Sequence, residues 1–133
     1  IELAREEGKS EASIKFGPPD IPRARSIHID GNTTALVFLF YLRLPNDFST
    51  GGDLCLYSRE KEYDRISKIL RPLIRNRYFP WEYHLIKSVP YTANTLVAIL
   101  NSPDSYHSVS TRLSPVVNRI AFHGGINSKT GLF

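Results

Sequence analysis

The chain has 133 residues, 41% of them hydrophobic and 23% charged, with a formal charge of +4 and a single cysteine, Cys55. This length and composition point to one folded domain, 1–133, with one core, and exclude disorder, an intramolecular disulfide framework and a multi-cysteine zinc site. No apolar run is long enough to span a bilayer as a helix, and the lone cysteine favours a reducing compartment such as the cytoplasm.

The opening "IELAREEGKSEAS" is polar with little periodicity, and is expected to be a frayed end or the tail of a truncated helix. "GPPDIPRA" follows as an extended connection, because each proline fixes its own φ and turns its predecessor away from helix. In "SIHID" the alternation puts Ile27 and Ile29 on one face of a half-buried strand and His28 and Asp30 on the other. "TALVFLFYLRL" is continuously apolar, rich in β-branched and aromatic residues, and is expected to be a central strand covered on both faces. It ends at the turn formers of "PNDFSTGG", after which "GDLCLYS" alternates again as a further strand.

The period then changes. Ile66, Ile69, Leu70, Leu73 and Ile74 recur at helical spacing, which predicts a helical insertion at about 60–77 with Pro72 kinking or breaking it. Lys68, Arg71 and Arg75 share one side of that helix, as a solvated face does. The aromatic cluster Tyr78, Phe79, Trp81 and Tyr83 would anchor the insertion or cover a pocket. Four more strand-like runs follow, "HLIKSVP", "TLVAILNS", "YHSVST" and "NRIAFHG", separated by turn signals. Seven or eight short strands around one helical insertion predict an all-β-dominated jelly roll or sandwich.

A pI near 9.3 invites a nucleic-acid partner. The basic residues are scattered, however, so nucleic acid is not expected, and the modest positive field suits small dicarboxylates instead. For chemistry, His28 and Asp30 lie at i and i+2 and project from one face of a strand. They are either a metal clip or two polar residues on a wet face. His107, in "SPDSYHSV", is the candidate third ligand. Two imidazoles and one carboxylate on one side of an ion form the facial triad of non-haem Fe(II) oxygenases. His84 is expected at the surface, His123 near the pocket or packed, and Cys55 as a small apolar filler.

From His28 to Phe122 the chain resembles the double-stranded β-helix core of the Fe(II)- and 2-oxoglutarate-dependent dioxygenases, in the branch similar to prolyl 4-hydroxylases. The resemblance is carried by ordered blocks: "HID", "LFYLRLPNDFSTGGDLCLY", "VPYTANTLVAIL", "SYHSVS" and "NRIAF". It implies that His28, Asp30 and His107 ligate Fe(II), that Arg119 binds the distal carboxylate of 2-oxoglutarate, and that O2 is the oxidant. It also implies hydroxylation of a C–H bond in a peptidyl or small-molecule substrate, with release of succinate and CO2. A planar guanidinium suits the role of Arg119, since it makes two parallel charge-assisted hydrogen bonds to a carboxylate. Tyr41 would offer a hydroxyl to the same cosubstrate or serve in the core. Arg112, in the "TRLSP" loop, is expected to meet substrate or solvent.

Ala121 stands where many relatives have serine. Prolyl 4-hydroxylases usually have lysine at the position of Arg119, which argues against a collagen-type substrate. Asn94 stands where the family has a turn glycine, and asparagine is the next residue able to adopt positive φ. The family's N-terminal helices and first strand are expected to be absent or reduced to "IELAREEGKSEASIKF". Two other readings remain at this point: a non-catalytic jelly-roll module binding a carbohydrate, peptide or anion, and a cupin-like metalloprotein acting without 2-oxoglutarate. Self-association is left open.

Overall fold

Alternating and continuously apolar runs both become strands in the computed structural model, which describes residues 8–17, 25–60, 82–114 and 117–133. The helical insertion expected at about 60–77 lies, apart from Glu60, outside these residues, as do Tyr78, Phe79 and Trp81. The strands are β1 (Gly8–Gly17), β2 (Arg25–His28), β3 (Thr34–Tyr41), β4 (Leu54–Arg59), β5 (Tyr83–Val89), β6 (Thr95–Leu100), β7 (His107–Val109) and β8 (Arg119–Ser128). They form two antiparallel four-stranded sheets, in the orders β1-β8-β3-β6 and β2-β7-β4-β5. The protein is an all-β sandwich over the described residues.

The opening segment corrects its sequence reading. Residues 8–17 are neither a frayed end nor helical. They form a ten-residue strand that pairs with the whole of β8, from Gly8 opposite Ser128 to Gly17 opposite Arg119. The sequence there alternates Lys9, Glu11, Ser13 and Lys15 with Ser10, Ala12, Ile14 and Phe16. That period of two is weak in hydrophobic contrast, and it takes a ready-made neighbouring strand to fix it.

β3 is central, between β8 and β6, as its apolar run predicts. Its two faces differ. Val37 and Tyr41 are buried and face inward with Leu39, whereas Leu36, Phe38 and Phe40 on the other face are only half-buried. The expectation of cover on both faces therefore holds for one face alone. On the half-covered face Phe38 stacks on Phe122 with ring centroids 5.9 Å apart, and Gly124 leaves the room that Phe38's ring occupies.

The inner face of this sheet builds the core. Tyr41, Tyr91 and Ala121 are buried together with Leu39 packed on them, and the Tyr41 and Tyr91 rings meet edge to face at 5.2 Å. Such aromatic pairs contribute about 0.5–1.5 kcal/mol beyond their burial. The turn into β6 needs a left-handed residue and has one: Asn94 sits at φ 60, where the sequence places the tolerant asparagine.

Candidate metal centre

β2 and β7 pair so that His28 lies directly opposite His107. Directly opposed residues of an antiparallel pair share a face, and the two imidazole centroids are 4.3 Å apart. Asp30 follows His28 by two residues, just past the strand end. The result is a cluster in which one nitrogen from each histidine and one Asp30 oxygen all lie within 4.8 Å of one another. His107 is buried, and the side chain of Asp30 is only 17% exposed. The candidates from distant parts of the sequence are thus brought together.

Hydrogen bonding at the far side of each ring sets its chemistry. His28 Nδ1 is 2.7 Å from the carbonyl of Ser26, and His107 Nδ1 is 2.9 Å from the carbonyl of Ser105. A carbonyl only accepts, so each Nδ1 carries a proton and Nε2 is the ring atom left to act as a ligand. His107 Nε2 faces Asp30 Oδ2 at 3.5 Å, and that buried oxygen has no hydrogen-bond partner among the described residues. Two imidazoles and a carboxylate converging in a mostly buried space are a donor set that suits a cation, and the carbonyl-tethered Nδ1–H is the usual outer support of a metal-binding imidazole. The residues fit a divalent ion with nitrogen and oxygen preferences.

Arg119 opens β8, in the other sheet, and its guanidinium lies between two rings, 5.1 Å from the centroid of Tyr41 and 5.0 Å from that of Tyr91. Three guanidinium groups surround Tyr91, and the other two are satisfied. Arg43 donates to the carbonyls of Asp47, Ser49 and Tyr91. Arg112 pairs with the Asp47 carboxylate at 2.9 Å and donates to Ser49 Oγ and the Val117 carbonyl. Arg119 has one long bond of 3.4 Å to the Gly52 carbonyl, and its buried Nε has no hydrogen-bond partner among the described residues. Arg119 is the guanidinium here with donors to spare.

Tyr41 is fully buried, and its hydroxyl makes no hydrogen bond of good geometry among the described residues. Burial raises its pKa, and the nearby Arg119 cation only partly offsets this. The hydroxyl therefore stays protonated at neutral pH, as a donor beside Arg119.

Arg112 corrects its sequence reading. It is 6% exposed and does not face solvent, because Asp47 and Ser49 hold it from the loop after β3. That support was missed, although "PNDFS" carries its signal: Asp47 accepts bonds from both the backbone N–H and the hydroxyl of Ser49, as an aspartate two residues ahead does in an Asx turn. Tyr91 was missed too. Its hydroxyl accepts from the Ile120 N–H at 3.1 Å and donates to the Ile120 carbonyl at 3.3 Å, bracing β8 next to Arg119. His84 is exposed and pairs with Glu60, as expected for a surface residue. Cys55 is buried, as a filler would be. His123 is half-buried and shares the face of Ala121 by alternation. Tyr83 is buried with its ring 4.8 Å from that of Tyr106.

Fold and site together define an all-β sandwich with a His/Asp/His group able to hold a metal. Comparison of the sequence with models of known families and with curated proteins finds no match.

Proposed function

We propose that this chain is an Fe(II)- and 2-oxoglutarate-dependent oxygenase on a double-stranded β-helix, hydroxylating a C–H bond of a peptidyl or small-molecule substrate. The observation that carries the reading is the convergence of His28, Asp30 and His107. Two supports stand beside it. The strand orders 1-8-3-6 and 2-7-4-5 match two interleaved Greek keys, as a jelly roll requires. Arg119 Nε and the Tyr41 hydroxyl lie buried beside one another with no other hydrogen-bond partner among the described residues, a pair suited to a carboxylate.

His28, Asp30 and His107 would hold the iron by three positions and leave the others open. Bound there, iron supplies the dioxygen chemistry that couples decarboxylation of 2-oxoglutarate to hydroxylation of the substrate. The chain's own residues bind and orient. Arg119 Nε and a terminal nitrogen would donate to the two oxygens of the distal carboxylate, with Tyr41 adding a third donor. The walls of Tyr41 and Tyr91 strengthen those bonds by excluding water.

Anaerobic addition of Fe(II) and 2-oxoglutarate is expected to produce a weak visible charge-transfer band. In Arg119→Ala the 2-oxoglutarate concentration needed for half of that band should rise by about 100-fold, the equivalent of roughly 3 kcal/mol for a charge-assisted pair. A band that forms equally well in Arg119→Ala would favour the metalloprotein that acts without 2-oxoglutarate. No Fe(II) binding at all would favour the non-catalytic module.

A further inference from the structure

Two sheets have four edges, and three of them carry features that block pairing with another chain. β1 has Lys9, Glu11 and Lys15 in its sequence. β2 is four residues long with an irregular register. β5 carries Lys87, and its pairing with β4 has a bulge between Leu56 and Tyr57. β6 has none of these. Its sequence, "TLVAIL", lacks charge and proline, and its register with β3 is unbroken over six pairs. No described strand pairs with its outer edge.

The backbone at that edge can be assigned. The Asn101 N–H donates to the Ala35 carbonyl on β3, and the N–H and C=O of alternate strand residues point in opposite directions. Asn101, Ile99 and Val97 therefore turn toward β3, while Leu96, Ala98 and Leu100 turn their N–H and C=O groups to the open edge. The same three residues are exposed on the outer face, Leu96 at 64% and Leu100 at 78%.

We infer that β6 is a homodimerisation edge, pairing antiparallel with β6 of a second copy about a two-fold axis through Ala98. This register places Ala98 opposite its own copy and Leu96 opposite Leu100 of the partner subunit, in both directions. It keeps outer face with outer face, because opposed residues of the same parity share a face. It also pairs every outward N–H and C=O of the three residues. A shift by one residue would lay exposed leucines against the inner-face side chains of Val97 and Ile99. The strand is thus complementary to itself, and the strip of Leu96, Leu100, Phe38 and Phe40 continues across the seam. The five paired residues, 96–100, bury roughly 400 Å² per partner, about half of a standard stable interface. The dimer is accordingly weak and concentration-dependent.

Sedimentation of the whole chain from micromolar to millimolar concentration should show a reversible monomer–dimer equilibrium. Ala98→Pro removes a donor that points only to the open edge, so it should weaken dimerisation at least about 10-fold and leave the circular dichroism spectrum unchanged. A double variant with lysine at 96 and 100 should be monomeric, and so should the matching glutamate variant, since each places like charges opposite one another. Mixing the two should restore a dimer. A wild-type chain monomeric throughout, dimerisation unaffected by Ala98→Pro, or lysine and glutamate variants that fail to pair would each overturn the assignment.

Discussion

His107→Ala is expected to lower the affinity for Fe(II) by more than about 100-fold, beyond the 10–100-fold typical of losing an outer-sphere partner. The loss is measurable by anaerobic calorimetry, or with Co(II) as a spectroscopic stand-in. The fold should persist, since the ring's hydrogen bond through Nδ1 is to the Ser105 carbonyl in its own loop. A second readout needs no turnover. Saturating metal at 100 times its Kd stabilises the wild type by about 2.7 kcal/mol, a rise in Tm of roughly 10 °C for a domain of this size, and the variant should lose that rise.

Asp30→Asn separates a metal site from a structural ion pair. Asp30 Oδ2 lies 3.5 Å from His107 Nε2. An asparagine amide can donate to that nitrogen, so the metal-free variant should melt at or above the wild-type temperature while binding metal poorly. A structural His107–Asp30 ion pair predicts the reverse, a lower melting temperature without metal.

Asp47→Ala is expected to destabilise the fold by about 3–5 kcal/mol, because it leaves the Arg112 guanidinium buried and uncompensated. The Asp47 side chain is fully buried and that of Arg112 is 7% exposed, so water does not screen the loss. Urea unfolding reads the cost directly. Adding Arg112→Met to the same chain should recover part of it, as removing both members of a buried pair does. Burial alone would raise the pKa of Asp47, but hydrogen bonds from the Ser49 side chain and backbone, together with Arg112, outweigh it and hold the pKa below the usual value of 3.8. A folded pKa below the unfolded one means that this stability is fully present above about pH 4. It is lost as pH falls through the lower folded value. Wild type should weaken against Asp47→Ala in that acid window and keep its full advantage at neutral pH.

Strong local patterns were legible in the sequence. The alternation of "SIHID", the continuous run of β3 and the turn at Asn94 each announce their structure, because burial contrast and positive φ leave marks on residue type. β1 was not legible: its alternating residues differ little in hydrophobicity, and its pairing with β8 is decided by a strand more than 100 residues later. At the site, residue types suggested His28, Asp30 and His107, the family resemblance added Arg119 and Tyr41, and the structure brings the first three together and the last two together. What pattern reading missed is the support. Which of several arginines is satisfied depends on partners such as Asp47 and Ser49, and no spacing rule records where a loop carries them.

The pairing of His28 with His107 also sets a timetable. The two residues leave the ribosome roughly 80 positions apart, which at about 5–20 residues per second separates them by several seconds. During that interval His28 has no strand to pair with, and β1 waits longer still for β8. A metal held by His28, Asp30 and His107 would therefore be loaded only after β7 is made, and a chain interrupted before β7 lacks one of the three candidate ligands.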